Sequence, residues 1–261
     1  MYFILVFTVV ISVFPVLWVL FSSFKTNSEI LSGAFTLPSN LRTALDAYSY
    51  IFEKYNFLSY FFHSLLVSLG STFVSLLIYS MAGYALSKFR FPGRNLLFTL
   101  FTITLLVPAT AKAQPIFSLI VRMGLINTLS GLSMVYVSSG MAMSLFILRA
   151  AFLSVPKELD ESARLDGAGF FRTFWKINLP LARSGMATAG ILMFLNNWNE
   201  YYWVLVMTNT QAIRTLPVAL RGLLQVEEGV PEWNVAMAGT MIQLAPILLM
   251  YIFASGKIKT A

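Results

Sequence analysis

Long runs of apolar residues, separated by shorter polar segments, recur along the whole chain. A helix needs about 20 apolar residues to cross the hydrocarbon core of a bilayer. Six stretches reach that length: residues 1–24, a part of 55–87, 95 to about 114, 123–148, about 184–207, and 233–256. They are too long and too uniformly apolar for the strands of a membrane barrel. The pattern predicts an all-α integral membrane protein, a single domain with six transmembrane helices.

The composition supports a membrane protein and excludes other classes. Hydrophobic residues make up 57% of the chain and charged residues 11%, with a mean hydropathy of +0.75, whereas a soluble domain carries about 25% charged residues. The 18 Lys and Arg are spread as short clusters between apolar runs, so we expect no nucleic acid partner despite the net charge of +7. The absence of cysteine excludes disulfides and thiolate-bound metals.

The first apolar run is long enough to be confused with a signal peptide. It lacks a basic leading segment, and no small-residue cleavage site closes it. We therefore expect it to be a retained span.

The charges between the apolar runs predict the orientation in the membrane. One set of segments, residues 87–95, 149–183 and the C-terminus, carries 11 Lys and Arg. In the other set, residues 25–54 carry as many acidic as basic residues. Residues 209–232, which include Glu227 and Glu228, carry more acidic than basic residues. Cytoplasmic segments carry the excess of Lys and Arg. Both termini and residues 152–183 are therefore predicted to be cytoplasmic, and Lys112 is expected to reach the outer interface.

The largest predicted cytoplasmic segment has the pattern of two short helices around a glycine. Pro156 suits a first helical turn, and the acids that follow it favour a helix N-terminus. Leu159, Ala163 and Leu165 form an apolar stripe at roughly helical spacing. Gly167 permits a turn. A second amphipathic helix is then predicted through Phe170, Phe171, Phe174 and Ile177, with Pro180 ending it.

A motif within this segment resembles that of a known family. Glu161-Ser162-Ala163, three residues, Gly167, nine residues and Ile177-x-Leu179-Pro180 look like the Glu-Ala-Ala (EAA) loop of permeases in ATP-binding-cassette importers. The one departure is Ser162 in place of alanine. The segments 21–25, 82–93 and 198–200 are similar to carbohydrate-uptake permeases related to the maltose transporter, most closely to the subunit with six spans.

This resemblance implies a type I (MetI-like) importer permease in the cytoplasmic membrane of a bacterium or archaeon. Its core would be residues 60–255, and its coupling loop residues 156–180. The implied partners are a second homologous permease, two ATPase subunits that bind ATP and Mg, and an external sugar-binding protein. The helix before Gly167 would fit a socket of the ATPase, and Glu161 would pair with a basic residue there. The alternative is that Glu161 only caps a surface helix. The residues implied in coupling are Glu158, Glu161, Ser162, Ala163, Asp166, Gly167, Ile177, Leu179 and Pro180.

A polar and aromatic cluster near the end of the fifth apolar run is the candidate substrate pathway. Amides and carboxylates bind sugar hydroxyls, and aromatic rings stack on sugar C–H faces. An equally good interpretation is an interfacial aromatic belt with amide bonds between helices. The candidates are Asn196, Asn197, Trp198, Asn199, Glu200 and Tyr201.

The chain shows no motif for catalysis or for a cofactor of its own. It has no Gly-x-x-x-x-Gly-Lys phosphate loop and no plausible set of catalytic residues. We predict a non-enzymatic subunit that imports a sugar, with an oligosaccharide favoured over glycerol phosphate. The alternatives are a self-sufficient secondary transporter of a small polar solute, and a membrane enzyme or scaffold.

Overall fold

A computed structural model describes residues 2–33, 35–39, 45–225 and 231–258. Every regular element in these residues is a helix. Their bounds, in chain order, are α1 (Tyr2–Ser22), α2 (Asn27–Ser32), α3 (Asp46–Lys54), α4 (Phe57–Lys88), α5 (Arg94–Ile103), α6 (Ala109–Arg122), α7 (Leu129–Ser139), α8 (Met141–Leu153), α9 (Lys157–Leu165), α10 (Phe170–Thr173), a π-helical turn (Phe174–Asn178), α11 (Leu179–Leu181), α12 (Arg183–Trp198), α13 (Tyr202–Met207), a 3₁₀ turn (Gln211–Ile213), α14 (Leu216–Leu224) and α15 (Trp233–Ile258).

Three helices are long and apolar enough to cross a membrane. They are Tyr2–Ser22, Phe57–Lys88 and the Trp233–Ile252 part of α15, and they coincide with the first, second and last predicted spans. α7 and α8 together are also long and apolar enough to cross a membrane if they are counted as one span with a bend of 51°. The described residues therefore contain three spans by length, or four with this pair, and the total of six stays a prediction.

The third and fifth predicted spans are each interrupted by a short non-helical segment. After α5 the chain leaves the helix and resumes only at α6, because Pro108 has an extended ψ of 141° and supplies no backbone N–H. α12 ends at Trp198, where the Asn199 side chain donates to the Leu195 carbonyl at 2.8 Å. The Glu200 carboxylate then accepts the Trp203 N–H at 3.0 Å, which starts a new helix.

The fourth predicted span begins later than its hydropathy indicated. α7 starts only after Thr128, whose side chain caps the helix by accepting the Gly131 N–H at 3.0 Å. The residue before this cap, Asn127, has a positive φ of 57°. Its side-chain oxygen accepts the backbone N–H groups of Asn209 (3.0 Å) and Thr210 (3.2 Å). A turn therefore replaces the first helical residues that were expected.

The described chain forms two compact units. The first comprises Met1–Ser64 and Arg214–Leu249. Its α14 is fixed by the Leu216 N–H, which donates to the Ser64 hydroxyl at 2.8 Å, and Gly239 allows close approach of Leu220 and Ile51.

In the same unit, α2 begins with a capping box. The Thr26 N–H donates to Glu29 at 2.7 Å, and the Thr26 hydroxyl accepts the Glu29 N–H. Hydrogen bonds from the Ser39 side chain and from backbone N–H groups lower the pKa of Glu29 from 4.5 to about 2.

The second unit comprises Leu65–Ile213 and Met250–Ala261. Its core includes the fully buried Leu148, Phe152 and Phe174. Gly185 of α12 lies directly against Ala151 of α8, so these two helices pack closely enough to exclude a larger side chain. This unit contains both candidate sites. Some of the charged residues that contributed to the predicted orientation lie outside the described residues: Arg42, Glu227, Glu228 and Lys259.

Candidate functional site

The predicted helix before Gly167 is present as α9, and it ends in a hydrogen-bonded glycine turn. The Gly167 N–H donates to the Arg164 carbonyl at 3.0 Å, and the Ala168 N–H donates to the Ala163 carbonyl at 2.8 Å. This pair of bonds is the Schellman ending, which requires a left-handed residue at the glycine position. Gly167 has a φ of 75°, and no atom lies within 4 Å of the place where its Cβ would be. Backbone conformation, and not lack of space, therefore favours glycine here.

The faces of α9 differ from the predicted apolar stripe. Ala163 is buried as expected, but Leu159 is 40% exposed and Leu165 is 90% exposed. The second buried residue of the helix is Asp160. The three residues of the stripe therefore do not share one buried face. The candidate coupling residues on the exposed side are Glu158, Glu161, Ser162, Asp166 and Gly167.

Asp160 takes part in a buried polar network that sequence reasoning missed. Its Oδ2 lies 2.9 Å from Nζ of Lys88, the last residue of α4, and the two side chains are only 10% and 3% exposed. Oδ1 accepts the side-chain N–H of the buried Asn178 at 2.5 Å. Lys88 also donates to the Val155 carbonyl at 2.6 Å. The C-terminal end of α4, α9 and the π-helical turn thus meet at one ion pair.

The helix after Gly167 does not end at Pro180, which corrects the prediction. α10 runs into the π-helical turn, where the Leu179 N–H donates to the Phe174 carbonyl five residues back. Pro180 then lies inside α11, exposed, while Ile177 and Leu179 are half-buried. The wider π turn accommodates a proline that would break a regular α-helix, because proline clashes with the carbonyl four residues before it.

An aromatic cluster packs the residues after Gly167 against α4 and α8. The ring centroid of Tyr84 on α4 lies 5.6 Å from that of Phe152 on α8, 5.2 Å from that of Phe170 and 5.3 Å from that of Phe174. Aromatic pairs at such distances add to the stabilisation from apolar burial. Residues 156–180 are therefore packed against α4 by the ion pair and by aromatic rings, and against α8 by aromatic rings.

A cavity of about 650 Å³ lies elsewhere in the second unit. Asn196 and Glu200 line it, as does Lys112, which was predicted to reach the outer interface. The Lys112 Nζ donates to the Thr104 carbonyl at 3.3 Å, in the break between α5 and α6. The cavity walls are mainly apolar. They include Ile116, Leu119, Met123, Met134, Ser138, Ser139, Met141 and Trp203.

The structure separates the candidate substrate residues into two groups. Asn197 is buried and donates to the Thr72 hydroxyl at 3.2 Å, and Trp198 stacks on Phe194 with ring centroids 5.7 Å apart. These two residues contribute to helix packing, as the alternative interpretation of the cluster proposed. Asn199 is exposed and Tyr201 is half-buried. From the predicted set, Asn196 and Glu200 are the two residues that line the cavity.

Residues 75–255 match the family described as the binding-protein-dependent transport system inner membrane component. The chain belongs to this family. The resemblance found in the sequence is thereby confirmed, and so are the helical membrane fold and the prediction of a non-catalytic permease subunit. The family places the chain among multi-pass inner-membrane proteins.

Individual relatives extend the similarity over nearly the whole permease. The diacetylchitobiose uptake system permease NgcG of Streptomyces coelicolor is 33% identical over 93% of this chain and 80% of its own length. The arabinooligosaccharides transport system permease AraQ of Halalkalibacterium halodurans is 34% identical over 95% of this chain and 88% of its own. A crystallised bacterial ABC transporter for alginate import superposes with a TM-score of 0.85 at 22% identity, covering 98% of this chain and 94% of that one. At this identity the superposition establishes the fold.

Proposed function

We propose that this chain is the membrane-spanning permease of an ATP-driven importer that takes up a sugar delivered by an external binding protein. Two relatives that are about one third identical to this chain are named for the uptake of diacetylchitobiose and of arabinooligosaccharides. These names favour an oligosaccharide as the transported substrate.

The proposed assembly contains a second homologous permease and two ATPase subunits, which bind ATP and Mg. In it, residues 1–261 form one permease domain with six spans. Its core is residues 60–255, and residues 156–180 are the coupling loop. Both termini are cytoplasmic. Lys88 and the coupling loop meet at one ion pair, which agrees with the basic segments lying on the same side of the membrane.

The exposed face of α9 is the observation that carries this proposal. It presents two carboxylates, Glu158 and Glu161, together with Leu165, which is 90% exposed. Glu161 belongs to the motif that resembles the EAA loop, so we propose that this is the face that an ATPase covers. The opposite face is held by Asp160 and Ala163, so α9 is fixed to the membrane region on one side and open on the other.

This arrangement suits a mechanical lever. When two ATPases close on ATP, they move α9, and the helices bound to it follow. The spans then change from an inward-open to an outward-open arrangement, as in alternating access. Ser162, Asp166, Ile177, Leu179 and Pro180 would shape the coupling surface around Glu161.

The cavity in the second unit is the proposed route of the sugar. Asn196 offers an amide and Glu200 a carboxylate, and both groups bind hydroxyls. Trp203 adds an aromatic wall, on which a sugar C–H face can stack. We propose that Asn197, Trp198, Asn199 and Tyr201 support these residues through the surrounding helices.

The test is a charge reversal at Glu161 in the complete transporter, reconstituted in vesicles. Glu161→Lys should leave the spans inserted but weaken ATPase binding by about 10- to 150-fold, since a charge-assisted contact away from bulk water contributes roughly 1.5–3 kcal/mol. Reversing the charge of the basic ATPase residue that faces it should restore binding. Glu53→Lys, at an exposed acid of α3, is the matched control and should have no effect.

Two results would contradict the proposal. Normal uptake by Glu161→Lys would remove the coupling role of α9. Proton-driven uptake by the purified chain alone would support a secondary transporter instead. The substrate is tested separately by identifying the ligand of the cognate binding protein, and an amino acid or a metal there would overturn the sugar assignment.

A further inference from the structure

The attachment of α9 to the rest of the protein has an unusual chemical character. Seven of its nine residues are exposed, and only Asp160 and Ala163 face inward. A short amphipathic helix normally attaches through an apolar face. Here a carboxylate occupies the centre of the attachment, and its partner is the ammonium group of Lys88.

The ion pair is fixed from several directions. Lys88 Nζ contacts both Asp160 Oδ2 (2.9 Å) and the Val155 carbonyl (2.6 Å), just before α9 begins. Asn178 holds the other carboxylate oxygen from the π-helical turn. Lys88 is therefore bonded to the start of the loop and to the middle of α9, while Asn178 bonds α9 to the helix that follows.

Such a pair determines geometry more than it adds stability. A buried ion pair contributes little net stability compared with apolar residues of the same volume, because both charges lose their hydration. Its contacts are nevertheless short: Lys88 Nζ lies 2.9 Å from Asp160 Oδ2, and Asp160 Oδ1 accepts the Asn178 side-chain N–H at 2.5 Å. Apolar faces can slide past one another, whereas this pair breaks if α9 shifts relative to the end of α4 and leaves two buried charges unpaired.

We propose that Lys88 and Asp160, oriented by Asn178, form the joint through which movement of α9 is passed to α4. They are positioning residues: they contact neither the ATPase nor the sugar, and they keep α4 and α9 moving as one body during the transport cycle. This inference rests on the proposed function of α9 as the coupling helix.

The experiment uses the reconstituted transporter with its partner permease, ATPases and loaded binding protein. Asp160→Asn keeps the shape of the side chain and removes its charge. We expect the ATPases to assemble and to hydrolyse ATP, while sugar uptake per ATP falls by about tenfold, within the range usual for coupling between sites. Val67→Ala is the control for destabilisation, since Val67 is fully buried in α4, far along the helix from Lys88. It should lower the melting temperature without changing uptake per ATP.

A cross-link keeps the proposal testable if Asp160→Asn fails to assemble. The chain has no cysteine, so Lys88→Cys with Asp160→Cys can be bridged selectively by a reductant-cleavable bifunctional thiol reagent, in a complex with cysteine-free partners. If α4 and α9 move together, bridging should restore coupled uptake, and cleavage of the bridge should abolish it again.

Two outcomes would overturn the joint. In the first, the bridge blocks transport and reduction restores it, which means that α4 and α9 must separate during the cycle. In the second, Asp160→Asn retains normal uptake per ATP and loses only stability, as Val67→Ala does. Failure of the proposed function looks different, because the unmodified chain would then not assemble with ATPases at all.

Discussion

The glycine turn that ends α9 makes the proposed coupling loop sensitive to one backbone angle. Gly167 has a φ of 75°, and its Cβ position is empty. Substitution therefore costs conformational energy without a steric clash. A left-handed conformation costs an alanine about 1–2 kcal/mol, and asparagine adopts it more readily. Proline fixes φ near −65° and also loses the N–H that donates to Arg164, so its cost should be about 3 kcal/mol.

These costs predict a graded series. A shift of 1–2 kcal/mol changes the ratio of formed to unformed turn by about 5- to 30-fold. The apparent affinity for the ATPase falls by up to this factor once the unformed turn dominates. We expect the affinity to decrease in the order glycine, asparagine, alanine, proline at position 167. Uptake into vesicles should follow the same order.

The assay is a titration of the solubilised permease pair with ATPase, followed by uptake measurements in vesicles. Gly222→Ala is the matched control, because Gly222 lies within α14, also with no atom near its Cβ position but without a positive φ. This control should bind ATPase normally. Equal effects of Gly167→Asn and Gly167→Ala, or no effect of Gly167→Pro, would refute the requirement for a left-handed turn.

Three further predictions concern topology, the cavity and pH. A cysteine at position 162 should react with an impermeant thiol reagent only after the cells are permeabilised, because α9 is proposed to be cytoplasmic; labelling in intact cells would contradict the orientation. Glu200→Gln keeps an acceptor for the Trp203 N–H but removes the charge from the cavity wall, so uptake should fall while ATPase assembly stays normal; unchanged uptake would exclude this cavity as the route. Because the pKa of Glu29 is lowered to about 2 in the folded protein, its stabilisation is present above pH 4.5 and is lost as the pH falls through about 2. Hydrogen exchange at the Thr26 amide should therefore stay protected down to about pH 3 and become faster in Glu29→Gln, and equal protection in both proteins would contradict this.

Local features of residues 156–180 were predictable because they depend on residues that are close in sequence. The acids after Pro156 and the glycine at 167 were enough to predict α9 and its end. The ion pair was not predictable, since the helix-dipole effect already accounts for Asp160 and nothing in the sequence links it to Lys88. An acid that shares a helical face with Ala163 is the signal that was available. It indicates only that Asp160 faces inward, not which residue it meets.

The helices that cross the membrane were predictable only where they are unbroken. Hydropathy averages over a window, so it is insensitive to a few non-helical residues inside an apolar run. Pro108 gave a visible warning of a break. The break after Trp198 gave none, because it depends on side-chain bonds of Asn199 and Glu200 to the backbone. The same bonds explain why the polar cluster there is split between helix packing and the cavity.

The two helix breaks also bear on the proposed route of the sugar. Non-helical backbone at membrane depth is tolerated where it is buried in protein or lines a water-filled cavity. Both breaks border the same cavity, one through Thr104 and Pro108 and the other through Glu200. In each break a side chain bonds a freed backbone group: Lys112 donates to the Thr104 carbonyl, and Glu200 accepts the Trp203 N–H. The charged groups on the cavity wall therefore also stabilise the interrupted backbone. A sugar that competes for Lys112 or Glu200 would loosen those helix ends, so binding and helix movement would be coupled in the cavity itself.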